Sequence, residues 1–214
     1  MTYWIKRLAF LALILPMAMC QAQTDQYQAG VHYEVLPQPI RTADATKIEV
    51  NEVFSYTCGH CYNFEPVLHP WSKKLAADVD FQQTPAVWQP ALEPFARAYY
   101  SAVLLNVLDK THMAIFEALH VKRQKVRTEA DLAAIFAAAG VDGDKFSKAY
   151  NSFGMTSMVN QAKARVRGYR VQGTPEVIVN GKYRVSSRNA GGFEGMLDVA
   201  DFLIEKERRA RATK

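Results

Sequence analysis

The segment Lys47-Ile48-Glu49-Val50-Asn51-Glu52-Val53-Phe54-Ser55-Tyr56 alternates polar and apolar side chains and then turns apolar, as a strand entering a core does. The dithiol Cys58-Gly59-His60-Cys61 follows almost at once. Beyond it Phe64, Leu68, Trp71 and Leu75 recur at helical spacing up to Asp78, and Val79-Asp80-Phe81-Gln82-Gln83-Thr84 reads as a further strand. Strand, helix, strand is a βαβ unit, and such a unit requires a parallel strand pair. Cys58 is thereby fixed at the junction where a strand ends and a helix begins. Pro66 and Pro70 lie inside the helical stretch and predict a kink.

The remaining elements arrange themselves around this unit. Residues 28–36 are read as a first strand ahead of 47–56. From 91 to about 167 the chain is rich in Ala, Leu, Phe and Lys with helical periodicity, which predicts four or five helices. Within that block Thr128 and Asp131 form a capping-box pattern, Gly140 is a stop, Asp142 is a second cap and Gly168 closes the last helix. Strand signals return at Glu176-Val177-Ile178-Val179, and Asn180-Gly181 is a tight hairpin turn into Lys182-Tyr183-Arg184-Val185. A final amphipathic helix carries Phe193, Leu197, Ala200, Phe202, Leu203 and Ile204. The expected fold class is α/β, with an all-helical insertion at about 88–165 interrupting one domain that spans 23–214.

Residues 1–22 are read as a secretory signal peptide: Lys6 and Arg7 precede the apolar run Leu8–Leu15, with cleavage after Cys20 or Ala22. The run is short of the roughly 20 apolar residues that span a bilayer. Cys20 also allows a lipid-anchored reading, against which stands the bulky Met19 before it. Loss of Lys6 and Arg7 takes the formal net charge from +5 to +3. The basic end, Lys206 to Lys214, is read as a solvated, fraying helix terminus whose cations suit the helix dipole, so no nucleic-acid partner is expected. Removal of Cys20 leaves only Cys58 and Cys61. A disulfide closing so short a loop adds little stability, so this pair is read as chemical rather than structural.

Thiol–disulfide exchange needs one exposed thiolate to attack and a second thiol to resolve the mixed disulfide. At a helix N-terminus, unpaired N–H groups and the dipole favour a negative sulfur at Cys58, and Cys61 lies one turn inside. Gly59 adds no bulk over the sulfur, and His60 is read as electrostatic support for the thiolate. A stabilised thiolate favours the reduced dithiol, which makes the disulfide an oxidant. The competing zinc reading lacks ligands: no second C-x-x-C or H-x-x-x-H accompanies the pair, and His32, His69, His112 and His120 read as scattered surface or core residues. No metal or cofactor is expected. Gly173-Thr174-Pro175 stands immediately before the strand at 176–179, where by itself Pro175 is an ordinary strand-entry proline.

Taken together, Val53-Phe54-Ser55-Tyr56, Cys58-Gly59-His60-Cys61-Tyr62-Asn63-Phe64-Glu65, Gly173-Thr174-Pro175 and Val179-Asn180-Gly181-Lys182-Tyr183 resemble the DsbA family of periplasmic thiol:disulfide interchange proteins. The resemblance covers essentially the whole mature chain. It implies a thioredoxin fold with an inserted helical domain, Cys58 as nucleophile, Cys61 as buried resolving cysteine, and a cis Pro175 facing them. Thr174 would then be free to pair with an extended substrate strand. It further implies that Glu52, which periodicity alone allows to face solvent, is buried and moves a proton beneath Cys61. The implied partners are reduced, unfolded exported polypeptides and a quinone-linked membrane reoxidant of the DsbB type, with a monomer as the default. Gly59, where many family members have Pro, and Thr174, where many have Val, bear on oxidising strength. A disulfide isomerase or reductase and a non-enzymatic periplasmic binding protein are the alternatives.

Overall fold

The computed structural model describes residues 26–213. The expected signal peptide, its cleavage site and Cys20 fall outside them. Five strands form one mixed sheet: β1 (Glu34–Val35), β2 (Ile48–Phe54), β3 (Val79–Pro85), β4 (Glu176–Val179) and β5 (Tyr183–Ser186), in the spatial order β1-β5-β4-β2-β3. Strands β2 and β3 pair in parallel across α1 (Gly59–Ser72), as the βαβ pattern requires, and the other pairings are antiparallel. Helix α1 runs unbroken through both Pro66 and Pro70.

Between β3 and β4 the chain makes a short 3₁₀ turn and five helices, α2 (Glu93–Leu104), α3 (Leu108–His120), α4 (Glu129–Ala138), α5 (Gly143–Tyr150) and α6 (Met155–Gly168). Their boundaries follow local chemistry. Thr128 and Asp131 close a reciprocal capping box at α4, Gly140 is left-handed just beyond that helix, and the Asp142 side chain accepts the Lys145 N–H at α5. After β5 come a four-residue helix α7 (Ser187–Ala190), which the sequence pattern did not signal, and α8 (Phe193–Ala212).

Other parts of the expected layout differ, beginning with α1, which stops at Ser72 rather than near Asp78. The strand expected over 28–36 is reduced to Glu34–Val35 and a single bridge between Ala29 and Tyr33, because Gly30 turns left-handed and the Val31 and His32 amides bond back to Gln28. The alternation along β2 does not separate a wet face from a dry one, since all seven residues are buried. The end of α8 is docked rather than fraying: Arg208 pairs with Asp78 at 2.6 Å and Arg211 donates to the carbonyls of Thr46 and Lys47, at the entry to β2.

Core clusters occupy both faces of the sheet. Ile48 and Val50 of β2 pack with Val177, Val179 and Val185 against α1 and α8, whereas Val53 and Ile178 pack with Val166 and Tyr169 at the end of the insertion. A third cluster joins Phe54, Tyr56 and Cys61 to Phe95, Ile115, Phe116 and Phe136 of the helical block. The dithiol therefore lies on the seam between sheet and insertion. The β4–β5 turn is tightly determined: Asn180 and Gly181 both have positive φ, and a Cβ on Gly181 would sit 2.0 Å from the Ile40 carbonyl oxygen. Gly181→Ala is expected to cost at least about 2 kcal/mol in denaturant unfolding, against about 1 kcal/mol for loss of the α4 cap in Thr128→Ala.

Candidate active site

Cys58 is the N-cap of α1, with extended backbone (φ −94°, ψ 116°), and its own N–H is bonded to the Ser55 carbonyl at 3.0 Å. No side chain caps this helix end, so its first amides are left facing the Cys58 sulfur. Both cysteines are free thiols here; Cys58 is half-buried and Cys61 is 0% exposed. The Cys58 pKa is lowered from 9.0 to about 5. The main cause is the hydrogen bond donated by the Cys61 thiol, followed by the Thr174 side chain and the backbone amides of Cys61 and His60. Cys61 moves the opposite way, pushed far above the usual thiol range by burial first, then by its bond to Cys58 and the nearby charge of Glu52. Two thiols of one turn are thus held in opposite protonation states near neutral pH.

The proline loop closes the other side. The Thr174–Pro175 peptide bond is cis, and Cys58 Sγ lies 3.3 Å from the Thr174 carbonyl oxygen. Among the described residues, no hydrogen bond within the chain engages the Thr174 amide. Gly59 is exposed at the lip, where an added Cβ would meet only His120 Nδ1 at 3.9 Å. The His60 side chain is exposed, and it is the backbone amide of that residue that stands among the main causes acting on Cys58.

Glu52, on β2 beneath α1, is 0% exposed. Its Oε2 accepts from Gln83 Nε2 at 2.7 Å, whereas Oε1 has no hydrogen-bond partner among the described residues. Burial, reinforced by the charge of Glu65, holds its pKa well above the carboxylate range. Gln83 also donates to Glu65 Oε1 at 3.1 Å, and Glu65 in turn meets His112 Nε2 at 3.0 Å. His112 Nδ1 lies 2.8 Å from the Tyr56 hydroxyl, so the orientation in which Tyr56 donates leaves Nε2–H to face Glu65. His120 Nε2–H donates to the Tyr56 carbonyl at 2.8 Å, and its ring stacks on Tyr62 at 5.4 Å.

The sequence reading gives Glu65 and Gln83 no role and takes His112 and His120 as scattered surface or core residues; His112 is indeed in the core. A signal exists nonetheless. Glu65 follows Cys61 by four residues and so shares its helix face, and His112, Phe116 and His120 are spaced by four along α3. The two histidines read as scattered are one stripe directed at Tyr56. A cavity of about 730 Å³ opens beside this network, lined by Glu65, Gln83 and His112 but by neither cysteine. No cluster of three potential metal ligands occurs among the described residues.

A low-pKa thiol capping a helix, a buried partner one turn away and a cis-proline loop within 3.3 Å define a thiol:disulfide oxidoreductase of the thioredoxin fold. A family model for the DSBA-like thioredoxin domain matches residues 49–198. Thiol:disulfide interchange protein DsbA of Pseudomonas aeruginosa is 42% identical over 189 residues, which are 88% of this chain and 90% of that protein. The DsbA of Azotobacter vinelandii is 41% identical over 182 residues, 85% of each chain. The crystal structure of P. aeruginosa DsbA superposes with a TM-score of 0.85, covering 89% of this chain and 99% of that one. The chain belongs to the DsbA family.

The shifted groups have measurable consequences. A depressed thiol pKa stabilises the reduced fold fully above the unfolded value near 9, and that contribution is lost as pH falls towards about 5. The stability of the reduced protein relative to the oxidised one, measured by denaturant unfolding of each, should therefore decline from about pH 9 to pH 5. Glu52 has the opposite sign: its raised pKa favours the fold below the unfolded value of about 4.5, and that benefit disappears as pH rises through the folded value. Glu52→Gln is expected to be more stable than the parent at about pH 8, with the gain vanishing by about pH 4.

Proposed function

We propose that this protein introduces disulfide bonds into reduced exported polypeptides by dithiol–disulfide exchange. The observation that carries the reading is the opposed ionisation of the two sulfurs, Cys58 lowered to about 5 and the buried Cys61 raised. In the oxidised enzyme a substrate thiolate attacks Cys58 Sγ. The Cys58–Cys61 bond breaks, Cys61 leaves with the electron pair, and a mixed disulfide joins substrate to Cys58. A thiolate in the Cys61 site is strongly disfavoured, so it must take up a proton, and Glu52, kept protonated by burial, is the proposed donor.

A second substrate thiolate then attacks the substrate sulfur of the mixed disulfide. Cys58 departs as the better leaving group of the two, because a thiol with a lower pKa leaves faster. The substrate has lost two electrons and the enzyme now carries them as a dithiol. The proposed acceptor is a quinone-linked membrane partner of the DsbB type. Thr174 and Pro175 receive the substrate chain, with the free Thr174 amide pairing to it as an added strand would. Gly59 keeps the approach to Cys58 open. His60 is proposed to support the thiolate through its amide, with its exposed imidazole a lesser contributor.

The proposed location is the periplasm, reached through a cleaved signal peptide at 1–22, and the proposed state is a monomer of residues 23–214 with the helical insertion at about 88–165. Among the described residues, no helix is long and apolar enough to cross a membrane.

Incubated with a reduced two-cysteine peptide, the oxidised protein should transfer one disulfide and then stop until an electron acceptor is supplied. Cys58→Ser should abolish transfer, and Cys61→Ser should accumulate mixed disulfides visible on non-reducing gels. Retained function in Cys58→Ser would favour the non-enzymatic binding reading, and rescue of a scrambled substrate without added oxidant would favour an isomerase.

A further inference from the structure

Glu176 stands directly after Pro175, as the first residue of β4, and is 5% exposed. Its Oε1 accepts the Gln172 N–H at 3.3 Å, and the Gly173 amide beside it also acts to lower its pKa. The carboxylate therefore holds the Gln172 amide and faces the Gly173 amide, the two that lead into Thr174. Its other oxygen faces Arg184 of β5, whose Nε lies 3.7 Å away. Arg184 is itself 4% exposed and continues to Glu34 of β1, Nη2 to Oε2 at 2.6 Å. A line of charge thus runs across three strands, Glu34–Arg184–Glu176, and ends on the backbone of the proline loop. Burying a carboxylate and a guanidinium is costly, and apolar side chains of similar size serve stability as well or better. An ion pair kept at this place has its visible effect on the loop.

We propose that Glu176, clamped by Arg184, is a positioning residue that fixes the Gln172–Thr174 loop in the shape that receives an extended substrate strand. This rests on the assignment of Thr174 and Pro175 to substrate binding. The ionised carboxylate makes a charge-assisted bond to the Gln172 amide and attracts the Gly173 amide, both more strongly than a neutral acceptor would. With the loop held, the Thr174 amide is presented already in place, and less ordering accompanies binding. Protonation weakens the hold on these amides and leaves Arg184 without one of its two carboxylate neighbours.

The clamp titrates where it can be observed. Burial lifts Glu176 to about 7, against the lowering influence of Arg184 and the amides of Gln172 and Gly173. Glu34 is the other charged group acting on it, in the raising direction, and Val53 is its paired neighbour on β2. Peptide affinity should consequently rise with pH through the neutral range.

The test uses the oxidised protein, in which Cys58 and Cys61 are bonded and do not titrate, and a short Val- and Thr-rich synthetic peptide whose single cysteine is replaced by serine. Calorimetric Kd values are measured from about pH 5.5 to 8.5. The parent should bind about fivefold or more tightly at the alkaline end, a typical coupling. Glu176→Gln should lose this inflection and hold the weaker affinity throughout. Arg184→Met should keep the inflection and move it upward, because the carboxyl loses its cation. The inference is overturned if Glu176→Gln keeps the parent profile, or if the parent profile is flat. The cysteine form of the peptide, given to the oxidised parent, checks the underlying assignment separately: no oxidation would sink the proposed function, whereas oxidation with an unaltered Glu176→Gln profile would sink the clamp alone.

Discussion

The influence of the Cys61 thiol on the Cys58 sulfur, one helical turn away, organises the centre of this molecule. It is useful only while the two ends differ in environment, one sulfur at a helix terminus open to incoming chains and the other enclosed. The fold supplies both conditions from one short segment. Strand β2 ends at Phe54, the chain turns through Tyr56, and α1 begins beneath the Cys58 sulfur, so the first turn carries one cysteine at its rim and the next inside. The buried sulfur resists ionisation and keeps its hydrogen, and that hydrogen holds the charge on its neighbour. Each thiol sets the state of the other.

Around this pair the structure places polar groups where a core would ordinarily have none. Glu52, Glu65, Gln83 and His112 form a connected set under α1, closed at one end by the Tyr56 hydroxyl. Two buried carboxyls share one amide donor, and the charge of one discourages ionisation of the other. Glu52 is therefore held in its neutral form close to Cys61, as the proposed proton transfer requires.

Much of the layout was legible in the sequence because it rests on local rules. The βαβ unit followed from periodicity, the boundaries of α4 and α5 from Thr128, Asp131, Gly140 and Asp142, and the β4–β5 turn from Asn180-Gly181. The misreadings have two causes. Residues 28–36 look like a strand, yet Gly30 folds them into a turn and only two residues reach the sheet edge. Polar residues of β2 look half-exposed, yet the insertion covers one face and α1 the other, so Glu49 is buried against Arg165 and Tyr169. The tail of α8 looks solvated, yet its arginines find Asp78 and two free carbonyls. In the last two cases the partner lies far along the chain, where pattern alone carries no information, whereas at 28–36 the turn is local and set by Gly30. The cysteines were identifiable for the converse reason, since both belong to one turn.

The helical insertion contributes more than bulk. Phe54, Tyr56 and Cys61 share a single apolar cluster with Phe95, Ile115, Phe116 and Phe136, so the wall that keeps water from the inner sulfur is built largely from a segment remote in sequence from the dithiol. Side chains of α2, α3 and α4 can thereby alter the dielectric surroundings of Cys61 while the four-residue motif stays untouched. The redox character of such a chain is adjustable from its upholstery, and sequences that diverge only in that segment need not be equal oxidants.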